Sequence, residues 1–405
     1  MRAVVIGAGR IGCGLAAEAL ERGGYEVTIV ARDPAIVAHL NLHLQFRVRL
    51  VEGSRSDERA VEVRRALRST DIPDVAEAIA QADVVAVSVG VESLGAIAHL
   101  IAAGLKERTA APLNVIAYEN AADAGKRLRD AVLRHLPDEF PLDRHGFSSA
   151  VIERAVSRRV GALNDARPVC FVGDPSDAVH VDGRGLRAPL PGIPGMVFAD
   201  DLSATFERKL FVFSAGHATT AYLGYLKGYR YIHAAIRDPE IREAVLEAMR
   251  EGQRGLESIH GEGTGGGEDR LGVILRRFEN AALNDPVTRV GRDPGRKLGA
   301  HERLIGAATL AERGGVRTAV LPLAAAAALC FAAGDPSGAS PLAVDLARSG
   351  PGGALREFAA LDPDGGLCQR VTDAFRRFGL TWRDDSPLLR LTEETAETPS
   401  GEAPA

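Results

Sequence analysis

The stretch that begins at Lys209 holds the side chains best suited to acid–base chemistry. The next 17 residues, Leu210–Leu226, read LFVFSAGHATTAYLGYL and carry no formal charge. A helix that is apolar on all sides is buried, so Ser214 and His217 inside it need an explanation. At about 100° per residue, His217 falls roughly 80° and Ser214 roughly 140° from Lys209. The three side chains can therefore face one cavity.

A lysine withdrawn from water loses its charge easily and can act as a general base near neutral pH. The simpler alternative is a core helix whose histidine is hydrogen-bonded to its surroundings and whose lysine extends its stem to reach water. The segment alone leaves both interpretations open, so the elements around it must decide what this lysine acts on.

The amino-terminal residues predict a nucleotide site. Residues 2–6 (RAVVI) form a short apolar run, GAGRIGCG follows, and a helical pattern begins near Ile11. A second apolar run, EVTIVA at 26–31, completes a strand–helix–strand unit. A strand, a G-x-G-x-x-G turn and a helix form the dinucleotide-binding fingerprint. The predicted cofactor contacts in this turn are Gly7, Ala8, Gly9, Arg10, Ile11 and Gly12.

The end of the second strand bears on which dinucleotide binds. An acid there holds the adenosine ribose of NAD, and a basic residue accommodates the 2′-phosphate of NADP. The segment reads Ala31-Arg32-Asp33-Pro34, so Arg32 favours NADP and Asp33 can serve NAD. A surface charge pair at the start of a helix is the remaining alternative, and selectivity stays open.

Two further apolar runs predict strands whose ends line the cofactor crevice. ADVVAVSVG (82–90) ends in Ser88-Val89-Gly90, and PLNVIAYEN (112–120) ends in Asn120. Such strand ends line the cofactor in doubly wound sheets. An asparagine there can donate its amide to a substrate oxygen, or it can simply close an Asx-turn.

The second half of the chain reads as helices almost without strands. The fold class expected is α/β, an N-terminal Rossmann-like doubly wound sheet followed by a mainly α-helical C-terminal domain. The predicted boundaries are 1–190, 191–385 and a disordered tail at 386–405, with the Pro/Gly-rich APLPGIPGM (188–196) as linker. RVGRDPGRKL (289–298) carries four cations; it suits either a solvated connector or an anionic or polyhydroxylated substrate.

Composition excludes several other classes of protein. The net charge of −5 and pI near 6.1 argue against a nucleic-acid surface. Four widely spaced cysteines without a CxxC pair fit reduced thiols in a cytosol better than a disulfide or zinc framework. No apolar run is long enough to span a membrane, and the amino terminus does not resemble a signal peptide. A cytoplasmic protein with no metal site and no membrane partner is expected.

These motifs together resemble the polyol-specific long-chain dehydrogenase/reductase family. The resemblance covers nearly the whole chain up to the tail. It is carried by GAGRIGCG, PLNVIAYEN, LPGIPGM, FERKLFVFSAGHATTAYLG and RFEN…RVGRDPGRKL, the last three being far more specific than the glycine fingerprint.

The resemblance implies roles for individual residues. In the family signature K-x4-N-x2-H the lysine, here Lys209, is the general base, and the histidine is His217. Ser214 occupies the asparagine position, and the other oxyanion-stabilising asparagine is Asn120. A serine hydroxyl is shorter than an asparagine amide, and losing one oxyanion donor costs about 10²–10³ in rate. The resemblance also implies four substrate contacts: Glu153, Arg154, Arg292 and Lys297.

The function implied is an NAD(P)-dependent oxidoreductase that interconverts a sugar alcohol and its ketose, with mannitol 1-phosphate among the candidate substrates. The family's NAD-selecting acid is replaced by Ala31, so a preference for NAD does not carry over. The partner expected is a small polyhydroxylated molecule, and the protein is expected to be a monomer or a homodimer. Because Ser214 departs from the signature, a cofactor-retaining dehydratase or epimerase on the same fold is the main alternative. A dinucleotide-sensing binding protein is the non-enzymatic one.

Overall fold

The computed structural model describes residues 1–109, 111–334 and 340–378. The chain divides into two compact units, Met1–Phe206 and the part that begins at Glu207. The tail predicted at 386–405 lies outside the described residues. Each unit has its own core and is considered by itself.

The described residues form twelve strands, all in the first unit, and these make two sheets. In chain order they are β1 (Arg2–Ile6), β2 (Glu26–Ala31), β3 (Gln45–Glu52), β4 (Arg55–Glu62), β5 (Arg65–Arg68), β6 (Val84–Val87), β7 (Asn114–Ala117), β8 (Gly146–Ile152), β9 (Val156–Val160), β10 (Cys170–Gly173), β11 (Val179–Asp182) and β12 (Met196–Ala199).

The larger sheet has the order β12-β11-β8-β7-β6-β1-β2-β5, and the smaller one β4-β3-β10-β9. All pairings in the larger sheet are parallel except that of β8 with β11. Every residue of β6 and β7 is buried, as expected for parallel strands covered on both faces. The chain moves from β1 outward to β2 on one side and to β6 on the other. The crevice that opens where the strand order reverses is where such sheets bind nucleotides.

Helices cover both faces of this sheet. The first begins with a π-helical turn, Gly12–Ala17, and continues as α1. The α-helices of this unit are α1 (Glu18–Arg22), α2 (Pro34–His43), α3 (Ile72–Ala80), α4 (Leu94–Glu107) and α5 (Ala124–Leu133). Two separate hydrophobic clusters result, one for each face of the sheet.

The second unit is helical, and among its described residues no strand is formed. Its helices follow α6 (Ser203–Arg208), which crosses the division between the units, and a π-helical turn at Lys209–Ser214. They are α7 (Ala215–Leu226), α8 (Ile232–Ala235), α9 (Pro239–His260), α10 (Gly267–Phe278), α11 (Val287–Gly291), α12 (Pro294–Lys297), α13 (Ile305–Arg313), α14 (Val320–Ala333), α15 (Pro341–Ala359, kinked at Gly350) and α16 (Gly366–Arg377). In the parts of the chain described here, no helix is long and apolar enough to cross a membrane.

The Ala-rich helix α14 is fixed at its N-terminus by a buried acid. The carboxylate of Glu251, on α9, accepts hydrogen bonds from the backbone amides of Ala319, Val320 and Leu321 at 2.6, 2.9 and 2.8 Å. These amides have no partner within the helix, and a negative charge there complements the helix dipole. Glu251 thus ties α9 to α14 at the centre of the second unit.

The predicted fold class is confirmed: a Rossmann-like sheet comes first and helices follow. The structure divides the chain later than residue 190, because β12 lies beyond that point and still pairs with β11. The Pro-rich segment before it is also held to the first unit, since the amide of Asn114 donates to the carbonyl of Ala188 at 2.8 Å. That segment is therefore part of the first unit rather than a free linker.

Candidate active site

Close contacts require glycine at two positions of the G-x-G-x-x-G turn, and the remaining glycine faces open space. Gly7 has a φ of +116°, and a Cβ there would lie 2.0 Å from the carbonyl oxygen of Ser88. A Cβ on Gly12 would lie 1.8 Å from the carbonyl oxygen of Gly7. Gly9 differs, because nothing lies within 4 Å of the position its Cβ would take. The first and third glycines thus shape the turn, and the second leaves an open cradle that fits a pyrophosphate.

A cavity of about 440 Å³ lies beside this turn and is lined entirely by the first unit. It brings together six of the predicted cofactor residues: Gly7, Ala8, Gly9, Arg32, Ser88 and Val89. The other five predicted residues, Arg10, Ile11, Gly12, Gly90 and Asn120, are not in its lining. Of these, Arg10 donates through Nη1 to the carbonyl of Ser157 at 3.0 Å. The residue types and this open turn fit NAD(P).

Glu119 holds the loop that ends β6, a role that sequence reasoning missed. Its Oε1 accepts hydrogen bonds from the backbone amides of Val89 and Gly90 at 2.7 and 2.8 Å. Burial raises the pKa of this carboxyl, and the two amide bonds oppose that shift. The neighbouring Asn120 is exposed. The position of Glu119 directly after a buried strand could have indicated this role, but the same strand end also carries Asn120, to which the sequence analysis assigned the function.

The helix that carries the predicted base is interrupted at that residue. Lys209–Ser214 form a π-helical turn, with i→i+5 hydrogen bonds, where an ordinary helix was expected. One extra residue in the turn reduces the wheel angles from Lys209 to roughly 40° for Ser214 and roughly 20° for His217. The π turn therefore aligns the three side chains on one face more closely than a regular helix would. A Cβ on Gly252 of α9 would lie 2.1 Å from the carbonyl oxygen of Phe211, so α9 packs tightly against this turn.

The polar side chains of this helix fall into two groups. Thr219 and Thr220 are buried, and their hydroxyls donate to backbone carbonyls one turn earlier, at 2.9 and 2.8 Å. They are satisfied within the helix. Lys209 is partly buried, Ser214 is 8% exposed and the His217 side chain 19%. These three are the residues that the family signature singles out.

His217 is fixed by an acid from a different part of the chain. Its Nε2 lies 3.5 Å from Oδ2 of Asp285, and its ring stacks on Phe278 with centroids 4.9 Å apart. Asp285 in turn forms a bidentate pair with Arg289. The pKa of His217 is lowered by burial, which outweighs the effect of Asp285. The pKa of Asp285 is about 2, because His217 and Arg289 overcome the effect of burial.

The two predicted substrate contacts in the basic segment, Arg292 and Lys297, differ in how far they are exposed to solvent. Lys297 is 6% exposed, and burial, with the charges of Arg303 and Arg296, lowers its pKa to about 7. Arg292 is exposed, with Nε 3.8 Å from the carboxylate of Asp293. A buried cation next to other cations is ready to receive an anion.

Two of the predicted substrate contacts are placed in the first unit. Glu153 is partly buried, and its carboxylate lies 3.5 Å from Nε2 of His180. The side chain of Arg154 is completely buried and donates through Nη1 to Glu18 and to the carbonyl of Gly14, both at 3.0 Å. This geometry does not fit the predicted substrate contact for Arg154, because its guanidinium is enclosed between the first helix and the sheet. We therefore withdraw Arg154 from the substrate contacts and keep Glu153 as a prediction.

Comparison with known proteins supports the same division of the chain. Residues 1–172 match the Mannitol dehydrogenase Rossmann domain, and residues 201–349 match the Mannitol dehydrogenase C-terminal domain. The fold is also similar to that of a Pseudomonas fluorescens mannitol 2-dehydrogenase solved as a ternary complex with NAD and D-mannitol. That comparison has a TM-score of 0.73 and 18% identity, and covers 98% of this chain and 94% of the other.

Curated relatives match over most of their length. A mannitol-1-phosphate 5-dehydrogenase of Brevibacillus brevis is 37% identical over 337 residues, which are 82% of this chain and 86% of the relative. One of Geobacillus thermodenitrificans is 36% identical over 388 residues, 93% of this chain and 99% of the relative. The chain therefore belongs to the mannitol dehydrogenase family, a family of NAD(P)-dependent polyol oxidoreductases.

Proposed function

We propose that this enzyme oxidises mannitol 1-phosphate to fructose 6-phosphate with NAD(P)⁺ as the hydride acceptor, and catalyses the reverse reaction. The observations that carry the proposal are the π-helical turn at Lys209–Ser214 and the contact of His217 with Asp285. By the wheel angles given above, this turn favours an arrangement of Lys209, Ser214 and His217 on one face. The names of the curated relatives, which match over 86% and 99% of their length, support the substrate.

Lys209 is the proposed general base. In its neutral form it accepts the proton of the substrate hydroxyl while the hydride leaves the same carbon for the nicotinamide, so that the C–O bond becomes a carbonyl. The bound NAD(P)⁺ supplies the electron-pair acceptor. A general base of this kind contributes about 10²–10⁴ in rate.

His217 is the proposed orienting residue. Its lowered pKa keeps the ring neutral at pH 7. A neutral ring that donates through Nε2 to Asp285 leaves Nδ1 as a hydrogen-bond acceptor. That nitrogen can accept a hydrogen bond from a second, neighbouring hydroxyl of the substrate. The substrate is then held so that the reacting hydroxyl keeps its own proton for Lys209. Ser214 and Asn120 are the proposed donors to the developing alkoxide.

The cationic segment supports a phosphorylated substrate. Lys297 is buried near Arg296 and Arg303, whose charges lower its pKa, and Arg292 extends to solvent from the same segment. A phosphate carries up to two negative charges and favours Arg and Lys partners. We assign Arg292 and Lys297 to the substrate, with Lys297 taking up a proton as the anion binds.

The direct test is to incubate the enzyme with mannitol 1-phosphate and follow the absorbance of the reduced nicotinamide. Free mannitol and fructose 6-phosphate serve as matched substrates. Stoichiometric NAD(P)H from mannitol 1-phosphate, at a kcat/KM at least about tenfold above that for free mannitol, supports the proposal. Equal kcat/KM values for mannitol 1-phosphate and free mannitol would show that the enzyme does not recognise the phosphate group.

One departure from the family signature favours a second candidate. Ser214 occupies the position of an asparagine, so the site lacks one amide donor. A dehydratase or epimerase that oxidises its substrate transiently would regenerate its cofactor in each cycle. Product formation without net NAD(P)H in the same experiment would establish that activity instead.

A further inference from the structure

The side chains around the end of β2 bear on whether the enzyme prefers NAD or NADP. Family membership does not decide between NAD and NADP for this chain, because Ala31 stands where the resemblance places an NAD-selecting acid. The question is independent of the proposed substrate. In NAD-binding folds a carboxylate at the end of this strand accepts hydrogen bonds from the ribose hydroxyls, whereas cations accommodate the 2′-phosphate of NADP. The last residue of β2 is Ala31, which is buried and offers no side-chain acceptor.

The nearby acid, Asp33, already has a structural role. Its Oδ1 accepts a hydrogen bond from the backbone amide of Ala35 at 2.9 Å and caps α2. Asp33 lines the cavity, but its charge is directed to the helix N-terminus, where it is stabilised by the helix dipole. A carboxylate committed to a cap is poorly placed to hold both ribose hydroxyls.

Cations from two different strands line the same cavity. Arg32 follows β2 directly, and Arg159 comes from β9 of the smaller sheet. Both are exposed, and in the described parts of the chain neither forms an ion pair with an acid. Asp33 is the one acidic residue in this lining.

A hydroxyl completes the set. The backbone amide of Ser69 donates to the carbonyl of Ala31 at 2.9 Å, which places Ser69 beside the end of β2, and it too lines the cavity. Two guanidinium groups and a hydroxyl thus line this cavity, and the acid in the same lining, Asp33, already caps α2. Charge-assisted hydrogen bonds from arginine are the usual means of binding a phosphate group.

We propose that this enzyme prefers NADP(H) to NAD(H), with Arg32 and Ser69 binding the 2′-phosphate and Arg159 contributing positive charge to the same cavity. The 2′-phosphate adds close to two negative charges at neutral pH. Each charge-assisted hydrogen bond to it is worth roughly a tenfold to hundredfold change in affinity.

Equilibrium binding of NADPH and NADH, measured by calorimetry without any substrate, tests the proposal. The wild type should bind NADPH about 10- to 100-fold more tightly than NADH at low salt. Arg32→Gln should bring the two affinities within about threefold of each other, mainly by weakening NADPH. Arg134→Gln, at an exposed arginine next to α5, should leave both affinities unchanged.

Competition with nucleotide fragments separates the phosphate from the rest of the cofactor. Adenosine 2′-phosphate should displace NADPH at a concentration about tenfold lower than adenosine 5′-phosphate, and Arg32→Gln should abolish that difference. Ala31→Asp, which restores an acid at the strand end, should invert the preference toward NADH. The proposal would be overturned if the wild type bound NADH more tightly than NADPH. It would also be overturned if Arg32→Gln lowered the affinities for NADPH and NADH by the same factor. Neither result would affect the proposed substrate, because substrate is absent from the experiment.

Discussion

Nε2 of His217 lies 3.5 Å from Oδ2 of Asp285, which joins the catalytic helix to the loop before α11. The bidentate pair of Asp285 with Arg289 keeps the carboxylate ionised. A histidine whose second nitrogen is held by a carboxylate has a defined tautomer and ring orientation. Asp285 is therefore a positioning residue for the proposed reaction.

Replacing Asp285 by asparagine should lower kcat by about 10- to 100-fold. The carboxylate raises the pKa of His217 against the effect of burial, so its removal should lower that pKa further. The shift can be measured by titrating the imidazole signals in NMR spectra. Asp293→Asn, an exposed acid of the same segment, should change kcat by less than about threefold. An unchanged kcat in Asp285→Asn, with an intact fold, would contradict the positioning role.

Two glycine-to-alanine variants separate the cofactor cradle from the turn that supports it. Gly9→Ala adds a methyl group to open space, so the protein should fold normally and lose cofactor affinity by about 100-fold or more. Gly12→Ala places a Cβ 1.8 Å from a carbonyl oxygen and should lower the melting temperature. Thermal unfolding and calorimetric cofactor binding check both. Normal cofactor affinity in Gly9→Ala would show that the pyrophosphate does not bind at this turn.

Replacing Glu119 by glutamine should destabilise the protein less than replacing it by alanine. Both backbone amides donate to the same oxygen, so the amide oxygen of Glu119→Gln can keep both bonds. Glu119→Ala removes the acceptor of two amides that water can partly reach, since Val89 is half-buried and Gly90 exposed, and should cost about 1 kcal/mol of unfolding free energy. It should also weaken cofactor binding, because the loop of Ser88 and Val89 lines the cavity.

The pH dependence of the Glu119→Gln variant follows from the raised pKa of Glu119. A carboxyl whose pKa is raised by folding contributes stability below its unfolded pKa, and that contribution is lost as the pH rises through the folded pKa. Glu119→Gln cannot ionise, so its stability relative to the wild type should increase above pH 4.5. Chemical denaturation across this range measures the effect. A relative stability that stayed constant with pH would show that Glu119 has the same pKa in both states.

Ser214→Asn restores the family signature and should maintain or raise the rate of polyol oxidation. Ser214 lies at the end of the π turn and is 8% exposed, so the longer amide must enter the space next to Lys209. Ser214→Ala serves as the control and should lose activity if the hydroxyl already donates to the oxyanion. Steady-state kinetics on mannitol 1-phosphate distinguish these cases. A large fall in Ser214→Asn would show that the pocket has been rebuilt for another reaction.

Much of the fold was predictable because local pattern and tertiary position agree. The apolar run at 2–6 and the glycines that follow it predict β1 and its turn, and the structure confirms the Rossmann-like sheet. The family and the helical second half, inferred from motifs such as FERKLFVFSAGH, are confirmed as well. In these segments the apolar pattern and the turn motif are short-range features of the sequence, so they can be recognised locally, even though the contact that requires glycine at position 7 comes from Ser88.

The parts that could not be predicted depend on contacts between distant segments. Asp285 reaches His217 only through the packing of α7 against the loop that precedes α11, and no spacing rule links the two. The π turn at Lys209–Ser214 arises where α9 packs closely at Gly252, whereas a wheel of constant period assumes an undisturbed helix. The family resemblance implied Arg154 as a substrate contact, and its burial against Glu18 could not be read from the sequence.

In the proposed reaction Lys209 takes the proton of the hydroxyl whose carbon donates the hydride. The most direct measurement is the single-turnover rate of Lys209→Ala with saturating mannitol 1-phosphate and cofactor, next to its calorimetric affinity for the cofactor alone. We expect the rate to fall by about 10³ or more, the cofactor affinity to stay within about threefold of wild type, and Lys106→Ala, at an exposed lysine, to match the wild type in both. A single-turnover rate within tenfold of the wild type would contradict the account, and a parallel loss of cofactor affinity would assign Lys209 to the structure instead.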